Sequence, residues 1–208
     1  ARNYQEALTN RRMIYEQTGT NISRWNLSES YQKMAHLHAS YKDDDASKLA
    51  EKFYTDTLVI KESIYREQNT LEHSLSITAL YNEYALYKKN IGSQLDSYKY
   101  FVKALTICDQ IYEKAVPLPY IMPKPISETE KLTRQMVECV PEENFSLPIL
   151  NQKALANIGV ADFFLSKNEM RIAIKYYNKA IEDRKKICSR VPTIMTFCEQ
   201  AEVQEKLG

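Results

Sequence analysis

Few residue types that could do metal or acid–base chemistry stand close together in this sequence, and the histidines are the first to consider. His36 and His38 lie two residues apart in a segment that favours a helix. Side chains at that spacing point about 200° apart around a helix axis, so the two rings cannot share one metal ion. We expect one of them to pack where a small residue normally stands, and we predict no metal site.

The acidic run KDDD, from Lys42 to Asp45, has the composition of a cation-binding loop. It lacks the glycine and the distal glutamate that a calcium-binding loop uses. A carboxylate beside the start of a helix can instead accept a hydrogen bond from a backbone N–H group of the first turn. We therefore expect Asp45 to be the N-cap of the helix that follows.

The four cysteines show no C-x-x-C spacing; they are Cys108, Cys139, Cys188 and Cys198. Buried and reduced thiols are therefore expected rather than a disulfide or zinc framework, which favours a reducing compartment. The sequence also contains no glycine-rich phosphate loop, nucleophile elbow or His-Glu metal motif. These observations predict a protein without enzymatic activity and without a cofactor.

Charge and hydropathy exclude two further classes of partner. The 28 basic and 27 acidic residues give a net charge of +1, so no overall field attracts nucleic acid or an anionic membrane. The longest apolar runs fall far short of the roughly 20 residues that a membrane helix needs. The first residues, Ala1 to Tyr4, contain no apolar signal core. We therefore expect a soluble, cytoplasmic protein.

Helices are the elements that would have to position any site. Only 4 glycines and 7 prolines occur in 208 residues, which leaves little material for the tight turns of sheets. Thr70 and the pair Ser93-x-x-Asp96 have the form of helix starts, and Gly19 and Gly92 lie where helices should stop. The chain is predicted to be all-α.

The segment Ala154 to Ile187 shows the clearest helical pattern. Small and large apolar residues alternate in it at spacings of three, four and seven; they are Val160, Ala161, Phe164, Ala173, Tyr177, Ala180 and Ile181. These spacings place them on one face of two successive helices. An alanine on each helix lets the two backbones approach closely, and an aromatic ring fills the remaining gap. A helical hairpin of any kind is the alternative interpretation of this segment alone.

The same residues, in the pattern Val160-Ala161-x-x-Phe164 and then Ala173-x-x-x-Tyr177-x-x-Ala180, resemble the tetratricopeptide repeat. Asn157 and Lys185 stand where that consensus has Trp and Pro. Weaker copies place Tyr54 and Phe101 at the position of Tyr177, 47 residues apart, whereas the standard repeat has roughly 34 residues. The longer period resembles the long-helix repeats of kinesin light chains.

The resemblance implies a right-handed superhelical solenoid of antiparallel helix pairs, built as a single domain over residues 1–208. Its expected parts are a half repeat at 1–19, repeats at 27–67, 70–116 and 149–190, a proline-rich insertion at 117–148 and a half repeat at 193–208. A short helix between Ser127 and Val140 is expected within the insertion. The two half repeats suggest a piece of a longer array, with possible self-association through its ends.

In the family that the chain resembles, the first helix of each pair lines a concave groove that binds extended peptides or partner helices. The groove candidates are Gln32, Lys42, Asn82, Leu86, Lys89 and Asp162. Asn82 and Lys89 are the most suggestive pair, because an amide can bind a peptide backbone and a lysine can meet its carboxylate. Solvated positions without function are the alternative. The Lys and Asn pattern does not repeat in successive units, so an acidic C-terminal peptide is not assumed.

Two functional classes follow. The first is a non-enzymatic protein-interaction module that binds a peptide or partner helix in the groove. The second is a structural or sensory segment of a larger regulatory protein.

Overall fold

The computed structural model describes residues 2–41, 43–115 and 146–206, and these residues form eight helices and their short connections. The helices are α1 (Arg2–Thr18), α2 (Asn21–Ala39), α3 (Asp44–Glu67), α4 (Leu71–Asn90), α5 (Gln94–Ala115), α6 (Ser146–Ser166), α7 (Met170–Arg190) and α8 (Ile194–Glu205). No strand occurs within these ranges, which confirms the all-α prediction. The predicted short helix at 127–140 and the groove candidate Lys42 lie outside the described residues.

Four of these helices begin at a side-chain cap of the expected kind. Thr20, Asp43, Thr70 and Thr193 each have an extended backbone and accept a hydrogen bond from the N–H group three residues later. The predicted start at Thr70 is therefore confirmed.

The N-cap of α3 is Asp43, and the prediction of Asp45 was wrong. Oδ1 of Asp43 lies 2.7 Å from the backbone N of Ala46, while Asp45 already lies in the first helical turn. The cap must be the last residue with an extended backbone, and composition alone could not tell which of three aspartates had it. All three carboxylates lie at the positive end of the helix dipole, where negative charge is favourable.

Two glycines mark helix ends as predicted. Gly19 and Gly92 have φ values of 59° and 84°, a left-handed conformation that glycine adopts without a Cβ clash. The N–H group of Gly19 donates to the carbonyl oxygen of Tyr15 at 2.8 Å. Helix α5 begins directly after Ser93, whose hydroxyl group donates to Asp96 at 2.9 Å.

The chain divides into two compact units, residues 1–100 and residues 101–208, and α5 begins in the first and ends in the second. In the N-terminal unit, helices that are consecutive in sequence pack together: α1 on α2, α2 on α3 and α3 on α4. The core between the first three helices contains Leu8, Leu27, Tyr31 and Met34, with Phe53 packed against it. The N-terminal unit thereby places the ends of α2, α3 and α4 close to one another.

In the C-terminal unit, α6 packs on α7 and α7 packs on α8. Its core cluster joins Ala161, Ala173, Tyr177, Ala180, Ile181 and Val203. The three alanines are fully buried, as close approach of the helix backbones requires. The predicted burial of Ala173 and Tyr177 is confirmed, whereas the solenoid arrangement stays a prediction.

Candidate functional site

The N-terminal unit contains a cleft of about 610 Å³, called here the α2–α4 cleft. It lies where the C-terminal ends of α2 and α4 meet the N-terminal end of α3. Three tyrosines and three carboxylates lie along it, namely Tyr41, Tyr54, Tyr87, Asp43, Asp44 and Glu83. Leu86 and Ile91 add exposed apolar surface. The cleft therefore combines aromatic walls with negative charge.

The carboxylates at the start of α3 differ in their surroundings. Asp43 is tied to the backbone as the N-cap. Asp44 lines the cleft, is exposed, and forms no ion pair within the described part of the chain. Asp45 does not line the cleft and instead pairs with Lys48 at 3.2 Å. Two adjacent and chemically identical residues are thus placed inside and outside the same site.

The aromatic wall is built from α3 and α4. The ring of Tyr54 lies with its centroid 5.1 Å from that of Tyr84 and 5.2 Å from that of Tyr87. The hydroxyl group of Tyr87 donates to the carbonyl oxygen of Ser47 at 2.7 Å, which fixes α4 against the start of α3. Burial raises the pKa of the Tyr54 phenol far above its ordinary value, so the ring stays neutral at physiological pH.

Glu83 connects the cleft to a polar network inside the N-terminal unit. Its Oε2 accepts a hydrogen bond from Nε2 of Gln32 at 2.6 Å and lies 2.9 Å from Nε2 of His36. Lys61, only 3% exposed, donates to Oε1 of Gln32 and to Oε1 of Glu29, both at 2.7 Å. A buried lysine is thereby linked through one amide to the carboxylate that faces the cleft.

The network keeps Glu83 charged. Burial raises the pKa of this carboxyl group, but the hydrogen bonds with His36 and Gln32 outweigh it and hold the pKa below its usual range. The same hydrogen bond to Glu83 raises the pKa of His36. Glu83 is therefore an anion at neutral pH and offers a negative charge to the cleft.

This arrangement is suited to non-covalent binding. Within the described ranges, no three His, Cys, Asp or Glu residues are placed to hold a metal ion together. Neither His36 nor His38 contacts the other: His36 bonds to Glu83, and the ring of His38 stacks on Phe53 at 5.6 Å. Carboxylates beside aromatic rings bind cationic groups by charge and by the negative faces of the rings.

Of the predicted groove residues that the structure describes, only Leu86 lines the cleft. Leu86 lines the cleft and is 45% exposed, and Gln32 reaches the cleft through Glu83. Asn82 is only 3% exposed, Lys89 is half-buried, and neither lines the cleft.

Asp162 belongs to the C-terminal unit. It accepts hydrogen bonds from the hydroxyl group of Tyr177 and, at 3.2 Å, from Nζ of Lys206. Lys42 is not described, and the role of all six candidates as ligand contacts stays a prediction.

Sequence reasoning missed the face of α4 that lines the cleft. That face consists of Glu83, Leu86, Tyr87 and Asn90, which follow the spacing i, i+3, i+4, i+7 of a single helical stripe. The predicted face, which also contains Leu86, was rotated around the helix from it. The stripe was visible in the sequence, but nothing marked it as the one that lines a cleft.

Comparisons with known proteins give no relative to guide the interpretation: no family model, curated protein sequence or solved structure matches the chain. The resemblance to tetratricopeptide repeats accordingly stays an expectation from the sequence. No helix in the described ranges combines the length and apolar character that crossing a bilayer demands.

Proposed function

We propose that the chain is a non-enzymatic protein-interaction module that binds a peptide or partner helix in the α2–α4 cleft. The observation that carries this proposal is the cleft itself. Its volume of about 610 Å³ falls within the roughly 300–1,000 Å³ typical of ligand pockets. An opening of this size can accept one or two side chains of a bound segment.

The walls of the cleft supply both parts of a recognition surface. Leu86 and Ile91 are 45% and 44% exposed at its edge, so covering either side chain contributes roughly half of the 1.5–3 kcal/mol of complete burial. Asp44 and Glu83 offer hydrogen-bond acceptors that fix the orientation of a ligand. Leu86, Asp44 and Glu83 lie on helices held by caps and packing, and Ile91 is the C-cap of α4, so the site is preformed.

The proposal extends to architecture and location. We propose that the pairs α2–α3 and α6–α7 are tetratricopeptide-like units of a right-handed solenoid. The buried alanines Ala161 and Ala173 at the predicted contact positions support this, as does the buried Ala50, four residues before Tyr54. A cytoplasmic, reducing location is proposed because the buried thiol of Cys188 forms no disulfide within the described residues.

Site-specific photo-crosslinking tests the interaction site. A benzoylphenylalanine placed at Leu86 is compared with one at Val59, an α3 residue that is 64% exposed and lies outside the cleft. In extracts of cells that produce the protein, we expect a discrete crosslinked protein from position 86 and none from position 59. The same partner captured equally from both positions would contradict the cleft as the site. No partner from either position would favour the alternative, a structural or sensory segment of a larger regulatory protein.

A further inference from the structure

We infer that the occupant of the α2–α4 cleft is a basic partner segment, with an arginine or lysine side chain inserted between the carboxylates and the tyrosine wall. This inference rests on the proposed function and adds the chemistry of the partner. It is carried by a cavity, its charge and its aromatic lining taken together.

Charge complementarity is the first argument. Asp43, Asp44 and Glu83 line one opening. Oδ1 of Asp43 caps α3 and Oε2 of Glu83 bonds to Gln32 and His36. A guanidinium or ammonium group can form charge-assisted hydrogen bonds with Asp44 and with the second oxygens of the other two carboxylates. Two lysines near these positions in sequence are engaged elsewhere, since Lys48 pairs with Asp45 and Lys88 with Glu51. Asp44 forms no ion pair within the described residues and faces the cleft, so its negative charge can meet a ligand.

The backbone adds to this charge. Helices α2 and α4, of 19 and 20 residues, both end at the cleft. The C-terminal end of a helix carries a partial negative charge, which favours a cation beside it. The positive N-terminal end of α3 is covered by its own aspartates, so it does not reverse the sign of the cleft.

Aromatic walls favour the same kind of ligand. A cation above the face of a tyrosine is attracted by the ring electrons. The N-terminal unit already uses such contacts: Nζ of Lys61 lies 5.1 Å from the ring centroid of Trp25, and Nζ of Lys88 lies 5.2 Å from that of Tyr84. In the cleft, Tyr41 is 50% exposed, and Tyr54 and Tyr87 line the wall with rings that are 4% and 7% exposed.

An acidic peptide is the ligand that this site disfavours. Its carboxylate would face Asp43, Asp44 and Glu83, and like charges at this distance repel. The sequence pointed to Lys89 as a partner for a peptide carboxylate, but Lys89 does not line the cleft. The carboxylates that do line it favour a basic partner instead.

The test is a selection of random heptapeptides displayed on phage against the immobilised full chain. We expect the enriched peptides to contain arginine or lysine. Affinities of one enriched peptide are then measured by fluorescence anisotropy for Asp44→Asn and Glu83→Gln. Each should weaken binding by about tenfold or more, as loss of a charge-assisted hydrogen bond does.

Asp45→Asn is the matched control, because it removes the same charge one residue away and outside the cleft. It should leave the affinity nearly unchanged. Equal losses in Asp44→Asn and Asp45→Asn would show attraction by net charge alone and would overturn the inference. Thermal melts of all variants verify that each is folded.

The two proposals fail in different ways. If the enriched peptides lack basic residues but bind more weakly to Leu86→Ala, the cleft binds peptides and only the basic occupant is wrong. If no peptide is enriched, or if every peptide binds Leu86→Ala and Asp44→Asn as well as the unaltered chain, both proposals are wrong.

Discussion

Tyr54 and Tyr177 each lie four residues after a fully buried alanine, yet the two units use the ring differently. In the C-terminal unit, the hydroxyl group of Tyr177 donates to Asp162, and Lys206 also holds that carboxylate. In the N-terminal unit, Tyr54 packs on two other tyrosines and forms part of the cleft wall. The same local spacing thus serves a closed core in one unit and a candidate site in the other.

The neighbouring residues explain the difference. Around Tyr177 the fully buried alanines Ala161 and Ala180 lie beside aliphatic core residues, so the helices close over the ring. Around Tyr54 the neighbours are large rings and polar groups, including His36 at 6.0 Å between ring centroids. Small residues favour a sealed helix pair, whereas aromatic and polar residues leave a cleft beside it.

The largest expected effect is a loss of stability at Tyr177 in the C-terminal unit. Tyr177→Ala should lower the free energy of unfolding by about 3–5 kcal/mol, because the side chain is only 2% exposed and its removal leaves a cavity. Urea denaturation measures the change. The exposed neighbour Lys179→Ala is the control and should shift the midpoint little. A loss below about 1 kcal/mol for Tyr177→Ala would show that this ring does not hold the pair together.

A larger side chain at Ala173, four residues before Tyr177, should also destabilise the chain. Ala173→Leu should destabilise the chain by about 1–3 kcal/mol, because the fully buried alanine has no space for a larger side chain. The adjacent and partly exposed Ile174→Leu serves as the control in thermal melts. An unchanged melting temperature for Ala173→Leu would contradict close approach of α6 and α7.

Removal of a single hydroxyl group sharpens the comparison. Tyr177→Phe should lower the free energy of unfolding by about 1 kcal/mol, because the hydrogen bond to Asp162 is lost. Tyr54→Phe should cost less, because the Tyr54 hydroxyl group has no hydrogen-bond partner within the described ranges. Calorimetry of the two variants side by side gives the difference. A larger loss of unfolding free energy for Tyr54→Phe than for Tyr177→Phe would contradict the role of Tyr177 as the hydrogen-bonded core ring.

The smallest effect concerns pH. The hydrogen bond to Glu83 raises the pKa of His36 above its ordinary value of 6.5. The charged His36 therefore contributes its full stabilisation below the pKa that it has in the unfolded chain. This contribution is lost as pH rises through the pKa that it has in the folded chain. Because the His36 side chain is 48% exposed, we expect a decline of less than about 1 kcal/mol between pH 5.5 and 8. Urea midpoints of the chain and of His36→Gln should converge at pH 8. An equal decline in both would exclude this pair as the cause.

The helices could be predicted from the sequence because their signals are local. Apolar residues at helical spacing, caps such as Thr70 and stops such as Gly92 each act within one or two turns. The seam of Ala161, Ala173 and Tyr177 was predictable for the same reason, since small and large residues alternate across it. Its burial is confirmed.

The cleft could not be predicted in the same way. Half of α4 is buried, on several sides of the helix, so no division into an apolar and a polar face shows which stripe is open. The pairing of Glu83 with Gln32 joins residues 51 positions apart and depends on how α2 and α4 are placed by α3. Tertiary placement, rather than local pattern, decides which carboxylates meet.

The most direct test of the account is a tyrosine-selective NMR titration of the full chain with N-acetyl-L-arginine amide, with the neutral N-acetyl-L-citrulline amide as control. Ring signals carry 13C labels and are assigned by single Tyr→Phe substitutions. We predict that arginine amide shifts the Tyr54 and Tyr87 signals in a saturable manner, that citrulline amide does not, and that the Tyr177 signal stays unchanged. Equal shifts from both compounds, shifts of Tyr177 alone, or no shift at Tyr54 and Tyr87 would contradict a cation-binding cleft in the N-terminal unit.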